Sequence, residues 1–316
     1  MILSCGELLI DFIGSKENPN LFEACPGGSP YNTAMAAGRL GAKSQFFSRV
    51  SRDLFGQQLV NHLKAQQVGL QYLVYSDDPT ILSFVKMDEK GKPAYAFFPN
   101  GCADRMMQPS DMPYPLPPEV QAVQVGSISL VLEPGASSIV DFLQKIHSTC
   151  VISYDPNIRA GLIPDHQAYV HRFEQIAGWA DIIKLSDEDL EWLYPNLNWQ
   201  EGLDKILSLG TSLVAFTQGE QGAVIKRLDL EFRQPVVSFG LGDTVGAGDT
   251  FHGALLAYLQ HHDKLTKKAI SEVPEDFLRT MAAYAAKAAG INCSRVGADP
   301  PWEQEMNSTT FDTKVQ

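Results

Sequence analysis

Basic residues are scarce beside acidic ones. There are 25 Lys and Arg against 37 Asp and Glu, a formal net charge of -12. A general nucleic-acid binder presents a basic face to phosphates, so that class is disfavoured. A local basic pocket for a small phosphate ligand stays open. Cysteines are few: Cys5, Cys25, Cys102, Cys150 and Cys293, with no C-x-x-C pair. An odd count without paired spacing points to reduced, mostly buried thiols and a cytoplasmic protein. No H-E-x-x-H or comparable ligand set occurs, so a protein-bound transition metal is not expected. No apolar run approaches the ~18 residues of a membrane span. The first residues meet Glu7 and Asp11 with no basic n-region, so no signal peptide is expected. Internal repeats and low-complexity tracts are also lacking.

What is present is an ordinary soluble composition of 316 residues, 44% hydrophobic and 20% charged. A chain of this length buries about three quarters of its unfolded surface and needs no disulfide or metal staple. From Ala122 onward the patterns alternate. Strands are predicted over Ala122–Val125, Val151–Tyr154, Asp181–Lys184 and Leu213–Thr217. Helices are predicted over Ser137–Lys145 and His166–Trp179, and from Asp187. That alternation predicts α/β layers around a mostly parallel sheet.

The first third differs. Ile2–Cys5 reads as a strand and Tyr31–Leu40 as an Ala-rich helix. Ile81–Met87 and Ala94–Phe98 flank the turn Asp88-Glu89-Lys90-Gly91-Lys92, a hairpin signal. A hairpin without an intervening helix cannot be a βαβ unit, so a small separate sheet is expected as a flap on the main domain. Pro109–Pro118 reads as an extended connector, and the residues from Trp302 as a loosely held tail.

Two segments carry chemistry. The first runs from Gly240 to Phe251, with the turn Gly246-Ala247-Gly248-Asp249. Phe251, Ala254, Leu255, Tyr258 and Leu259 then recur at helical spacing. A glycine-rich turn opening a helix lets backbone N–H groups converge on an anion, helped by the helix dipole. Asp249 stands beside that anion site; from the local pattern alone it could equally cap the helix. The segment is neither a Walker A loop nor a dinucleotide fingerprint, which would need glycine where Phe251 stands. The second segment is Pro26-Gly27-Gly28-Ser29-Pro30-Tyr31-Asn32, a flexible Gly pair before a helix of small residues. Asn32 there offers donors and an acceptor; a tight turn into a buried helix is the alternative.

Together the two segments resemble the signature motifs of the ribokinase-like, or PfkB, carbohydrate kinases, over essentially the whole chain. The resemblance is closest to bacterial fructokinases. It implies one three-layer α/β/α domain over residues 1–316, with a β-sheet lid built from about 12–26 and 81–104. It implies that Asp249 takes the proton from a sugar hydroxyl as that oxygen attacks the γ-phosphate of ATP. Gly246, Ala247 and Gly248 would form the anion hole. Phosphoryl transfer needs positioning and charge stabilisation more than covalent help.

Asp11, Gly27, Gly28 and Asn32 would bind the sugar, with Gly27-Gly28 as lid hinge. Tyr31 and Phe98 would be apolar walls of the sugar site or core residues. The run Asp155-Pro156-Asn157-Ile158-Arg159 resembles fructokinases and 2-keto-3-deoxygluconate kinases, with Arg159 holding a sugar oxygen or a phosphate. Lys184, Thr217, Gly219, Gly222 and Asn292 would serve the nucleotide. The family pattern N-x-x-E, which organises Mg²⁺ through water, is here Ser186 to Asp189, a departure that also reads as a capping box. A K⁺ or other monovalent cation site is implied near Asp243 and Gly297.

The substrate is expected to be fructose. Ala103-Asp104-Arg105 resembles the fructokinase A-D-R run. The stretch Phe97-Phe98-Pro99-Asn100 lacks the arginine that 2-keto-3-deoxygluconate kinases use for the acid's carboxylate. ATP and a small sugar are the expected partners, with no nucleic acid and no membrane, and some relatives pair their lids into a homodimer. A non-catalytic sugar or nucleotide sensor is the reading from a different class; an intact Asp249 with an intact anion loop argues against it.

Overall fold

The computed structural model describes residues 1–15, 18, 20–87, 93–240 and 242–308. In chain order the first half holds β1 (Ile2–Cys5), β2 (Leu9–Gly14), β3 (Phe22–Gly27), α1 (Ser29–Arg39), β4 (Ser44–Phe47), β5 (Arg49–Ser51), α2 (Leu54–Ala65), β6 (Val74–Ser76), β7 (Ile81–Met87), β8 (Pro93–Phe98), β9 (Ala122–Gly126), α3 (Gly135–Ile146) and β10 (Val151–Asp155). Then follow α4 (His166–Ala177), β11 (Ile182–Ser186), α5 (Asp187–Leu193), α6 (Trp199–Ser208), β12 (Leu213–Thr217), β13 (Ala223–Arg227), β14 (Leu230–Gln234), α7 (Ala247–His261), α8 (Lys267–Glu272), α9 (Glu275–Cys293) and α10 (Glu303–Ser308).

The large sheet has the order β14-β13-β12-β11-β10-β9-β1-β4. Every pairing from β12 to β4 is parallel; β13 and β14 add an antiparallel edge. Strand alternation explains the layers. Ile2, Ala122, Val151, Ile182 and Leu213 point into one core with α7, α8 and α9. Their neighbours Leu3, Val123, Ile152, Ile183 and Val214 point into the other, with α3, α4 and α6. Both faces of a parallel sheet must be covered, which yields the three-layer α/β/α architecture.

A second sheet, β3-β2-β7-β8, includes the hairpin expected from the sequence. That hairpin's turn, 88–92, lies outside the described residues. Ile10 packs with Tyr31, Leu59 and Leu63 on one side, whereas Leu9 packs with Ile81, Cys102 and Ile128 on the other. The small sheet thus leans on α1 and α2 while its other face approaches the end of β9. Residues 99–104 follow it back to the body, where Ala103 and Asp104 are buried.

One expectation fails. The residues from Trp302 do not begin a loose tail. Met306 is buried in the core around α7 and α9, its carbonyl accepts from Lys287 Nζ (2.7 Å), and Arg39 stacks over the Trp302 ring. The segment looked polar because one methionine and one tryptophan carry its docking. Residues 309–316 lie outside the described residues, as does Leu241.

Candidate active site

Parallel strands deliver their carboxyl ends to one edge of the sheet, where open α/β sheets take ligands. Asp155 closes β10, Ser186 closes β11 and Thr217 closes β12. The start of α7 comes to the same edge. Gly246 is its N-cap with φ 72°, left-handed backbone that glycine adopts without strain. A Cβ there would meet Ala298 Cβ at 2.6 Å. The Ala247 amide donates to Thr244 O (3.2 Å). That bond takes the Ala247 amide out of the expected set Gly246, Ala247 and Gly248; the amides of Gly248 and Asp249 follow it in the first turn, where a helix offers no intrahelical acceptor, and are available to an anion.

Asp249 does not cap the helix. It is buried, and its two oxygens face α1: Oδ1 accepts from Ser29 Oγ (2.6 Å) and Oδ2 from Asn32 Nδ2 (2.9 Å). Burial, followed by the charge of Asp155, raises its pKa above the ordinary carboxylate value; Ser29, Asn32 and Lys184 oppose the rise. Asn32 Oδ1 is buried with no hydrogen-bond partner among the described residues.

Lys184 supplies positive charge under the glycine turn. A Cβ on Gly248 would lie 2.7 Å from its Nζ. The ammonium donates to Asp155 Oδ2 (3.0 Å) in a fully buried ion pair. Burial opposes its charge, but Asp155, Asp189 and Asp249 outweigh that and hold its pKa above the usual lysine value. His252, on α7, packs beside the pair with Nε2 2.6 Å from Ser153 Oγ. Burial, then Lys184, lowers its pKa to about 3, so it is neutral at physiological pH.

In the small sheet, Asp11 lies within β2, opposite Ser83 of β7, whose hydroxyl donates to its carboxylate. Burial raises its pKa; Ser83 and the nearby charge of Arg159 oppose this. Asp11 of the small sheet and Arg159, four residues past the end of β10, thus share one electrostatic neighbourhood. Arg159 Nη1 also donates to Asn157 Oδ1 (2.7 Å). A Cβ on Gly27 would press into the Asp11 carboxylate. Gly28 has φ 116°, and a Cβ there would meet Glu7 O at 2.6 Å.

Tyr31 and Phe98 are not sugar walls. Tyr31 is fully buried against Phe46, with its hydroxyl 2.5 Å from His62 Nδ1. Phe98 pairs across from Leu82 and packs on Phe84, on the face of the small sheet opposite to Asp11. Strand alternation puts Phe97, across from Ser83, on the Asp11 face instead.

At the ends of β11 and β12, Ser186 pairs across from Thr217. Gly219 (φ 51°) and Gly222 (φ 84°) shape the turn from β12 to β13. Asn292, in the last turn of α9, donates to Val245 O (2.8 Å) just before α7, and its buried Oδ1 has no partner among the described residues. Gly297 N donates to Asp243 Oδ2 (3.1 Å), so these two residues do meet. Asp189 closes the capping box of α5: its oxygens accept from Ser186 N and Oγ and from Ile158 N.

Sequence reasoning missed Glu7, Ser29 and Asp155. Ser29 and Asp155 lie inside the segments read above, but the roles of all three come from contacts between residues distant in the chain. Ala103-Asp104-Arg105 sits behind the site. Asp104 is buried, and burial, then the charge of Glu7, raises its pKa to about 8. Arg105 clamps Glu133 O and Asn100 Oδ1. A separate open groove of about 460 Å³, lined by His166, Val170, Tyr194 and Lys205, contains none of the motif residues.

Known proteins resemble this chain over most of its length. A fructokinase of Rhizobium leguminosarum bv. trifolii is 36% identical over 281 residues, 88% of this chain and 86% of that protein. Probable fructokinase-5 of Arabidopsis thaliana is 32% identical, covering 95% of this chain and 93% of its own. Among solved structures, a fructokinase double mutant of Vibrio cholerae O395 with fructose, ADP and a potassium ion superposes with a TM-score of 0.83. It is 27% identical, covering 94% of this chain and 93% of its own. The fructokinase of Xylella fastidiosa with bound ATP, 23% identical, superposes at 0.87 over 97% of both chains. The pfkB family carbohydrate kinase model matches residues 1–305, and the chain belongs to that family.

Proposed function

We propose that this chain is an ATP-dependent fructokinase. The observation that carries the reading is the buried Asp249 at the first turn of α7, with the Lys184 ammonium beneath the adjoining Gly248. The names of its relatives, and the fructose and ADP bound by the Vibrio protein, support the substrate class.

In this reading a fructose hydroxyl donates to Asp249, which accepts the proton as the oxygen attacks the γ-phosphorus and ADP leaves. Asp11, Asn32 and Arg159 hold the other sugar hydroxyls, with Gly27 and Gly28 as hinge between the small sheet and the body. The small sheet acts as a lid that excludes water from the phosphoryl group. Gly248, Asp249 amide and Lys184 receive the charge spreading over the transferring group. Thr217, Gly219, Gly222 and Asn292 form the nucleotide side.

Among the described residues no three His, Cys, Asp or Glu side chains group to hold a metal ion. Mg²⁺ would arrive with the nucleotide, held by phosphate and water oxygens, with Asp189 reached through water. It would screen the phosphate charge when bound. Asp243 with Gly297 is the proposed monovalent-cation site. The test is ADP release with Mg²⁺ across a sugar panel, with Asp249→Asn as control. The control is expected to lose ~10²–10⁴-fold in kcat while still binding sugar.

A further inference from the structure

The carboxylate of Asp249 does not stand alone. Its Oδ1 accepts from Ser29 Oγ at 2.6 Å, a contact between residues 220 apart in the chain. Ser29 is buried and opens α1, directly after the Gly27–Gly28 pair. It is fixed from behind by Glu7, which is also buried. Ser29 N donates to Glu7 Oε1 (3.2 Å), and the other carboxylate oxygen of Glu7 accepts from Ser129 N (3.3 Å) and from the Ser129 hydroxyl. The Glu7 carbonyl in turn abuts Gly28, where a Cβ would approach it to 2.6 Å. Glu7 thus ties the loop after β1, the turn after β9 and the start of α1 into one rigid point. From that point Ser29 aims its hydroxyl at the base.

We propose that Ser29 is a positioning residue for Asp249 and that Glu7 holds it in register. The inference rests on the reading of Asp249 as general base. A base must be oriented within a fraction of an ångström of its proton, and each carboxylate oxygen held by a donor limits its rotation. Asn32 holds one oxygen through Nδ2, and its own buried Oδ1 has no partner among the described residues. Ser29 holds the other and is anchored to the body through Glu7.

Steady-state kinetics of Ser29→Ala, Ser29→Thr and Asp249→Asn test this, together with the Ser29→Ala change in the Asp249→Asn background. Ser29→Ala is expected to lower kcat about 10- to 100-fold with little change in the KM for fructose. It also moves the acid limb of the pH profile upward, because the charged carboxylate loses a donor. Ser29→Thr, which keeps the hydroxyl, restores most of the rate and the limb. In the Asp249→Asn background, Ser29→Ala has no further effect on residual turnover. Ser29→Cys, of similar size and weaker donation, answers the same question if the alanine variant does not fold. Unchanged kcat and acid limb in Ser29→Ala, or an equal loss in the Asp249→Asn background, overturns the proposal while leaving the base intact. Full turnover by Asp249→Asn overturns the base reading, and the proposal with it.

Discussion

The Asp249 side chain shows how burial and partners together would set the proposed base. Its pKa is raised by burial, and by Asp155, against the pull of Ser29, Asn32 and Lys184. A protonated carboxylate cannot accept the hydroxyl proton, so activity falls as pH drops through that raised value. The acid limb of kcat/KM is therefore expected above the ~3.9 of an ordinary aspartate. A pH–rate profile checks this; a limb at or below the ordinary value would mean the hydrogen bonds dominate. At this scale the sequence was partly legible. Asp249, Gly246 and Gly248 were recognisable because the glycine turn and the helix after it are local patterns. Ser29, Glu7 and Asp155 were not, because their roles depend on contacts such as Glu7 to Ser129, 122 residues away. Phe98, read as a wall or a core residue, lies on the face opposite Asp11, because the strand's period puts adjacent residues on opposite faces.

Between elements, the decisive contact is α1 against α7. Gly253 lets the helices approach so closely that a Cβ there would meet Thr33 O at 2.7 Å and Ala36 Cβ at 2.8 Å. The first turns of both helices then lie together, placing Ser29 and Asn32 on Asp249. Gly253→Val is expected to cost about 1–3 kcal/mol of stability by overpacking. The larger effect is on rate: a shift of ~1 Å at the helix starts is worth about 100-fold in kcat. Thermal melts and kinetics on the same sample separate the two effects; a stability loss with kcat intact would remove the helix contact from the account. The alternating strands and helices after Ala122 were readable from periodicity, as was the hairpin. The docking of Trp302–Met306 was not, since two apolar contacts in a polar stretch leave no period.

Across the molecule, the buried carboxylates Glu7 and Asp104 link stability to pH. Burial, then Glu7, raises Asp104 to about 8 when folded, against ~3.9 in an unfolded chain. The folded state thus keeps a proton that the unfolded state releases. That contribution is fully present below about pH 4 and is lost as pH rises toward 8, at up to about 1.4 kcal/mol per pH unit. Asp104→Asn removes this dependence. Its Tm relative to the unsubstituted protein is expected to rise steadily between pH 5 and pH 8; a constant difference would place the proton elsewhere.

The direct measurement is ADP release with ATP and Mg²⁺ across fructose, ribose, glucose, 2-keto-3-deoxygluconate and adenosine, for the protein and for Asp249→Asn. The account predicts a clear preference for fructose that disappears in the variant. Turnover confined to 2-keto-3-deoxygluconate, or turnover with fructose that survives in Asp249→Asn, would contradict it.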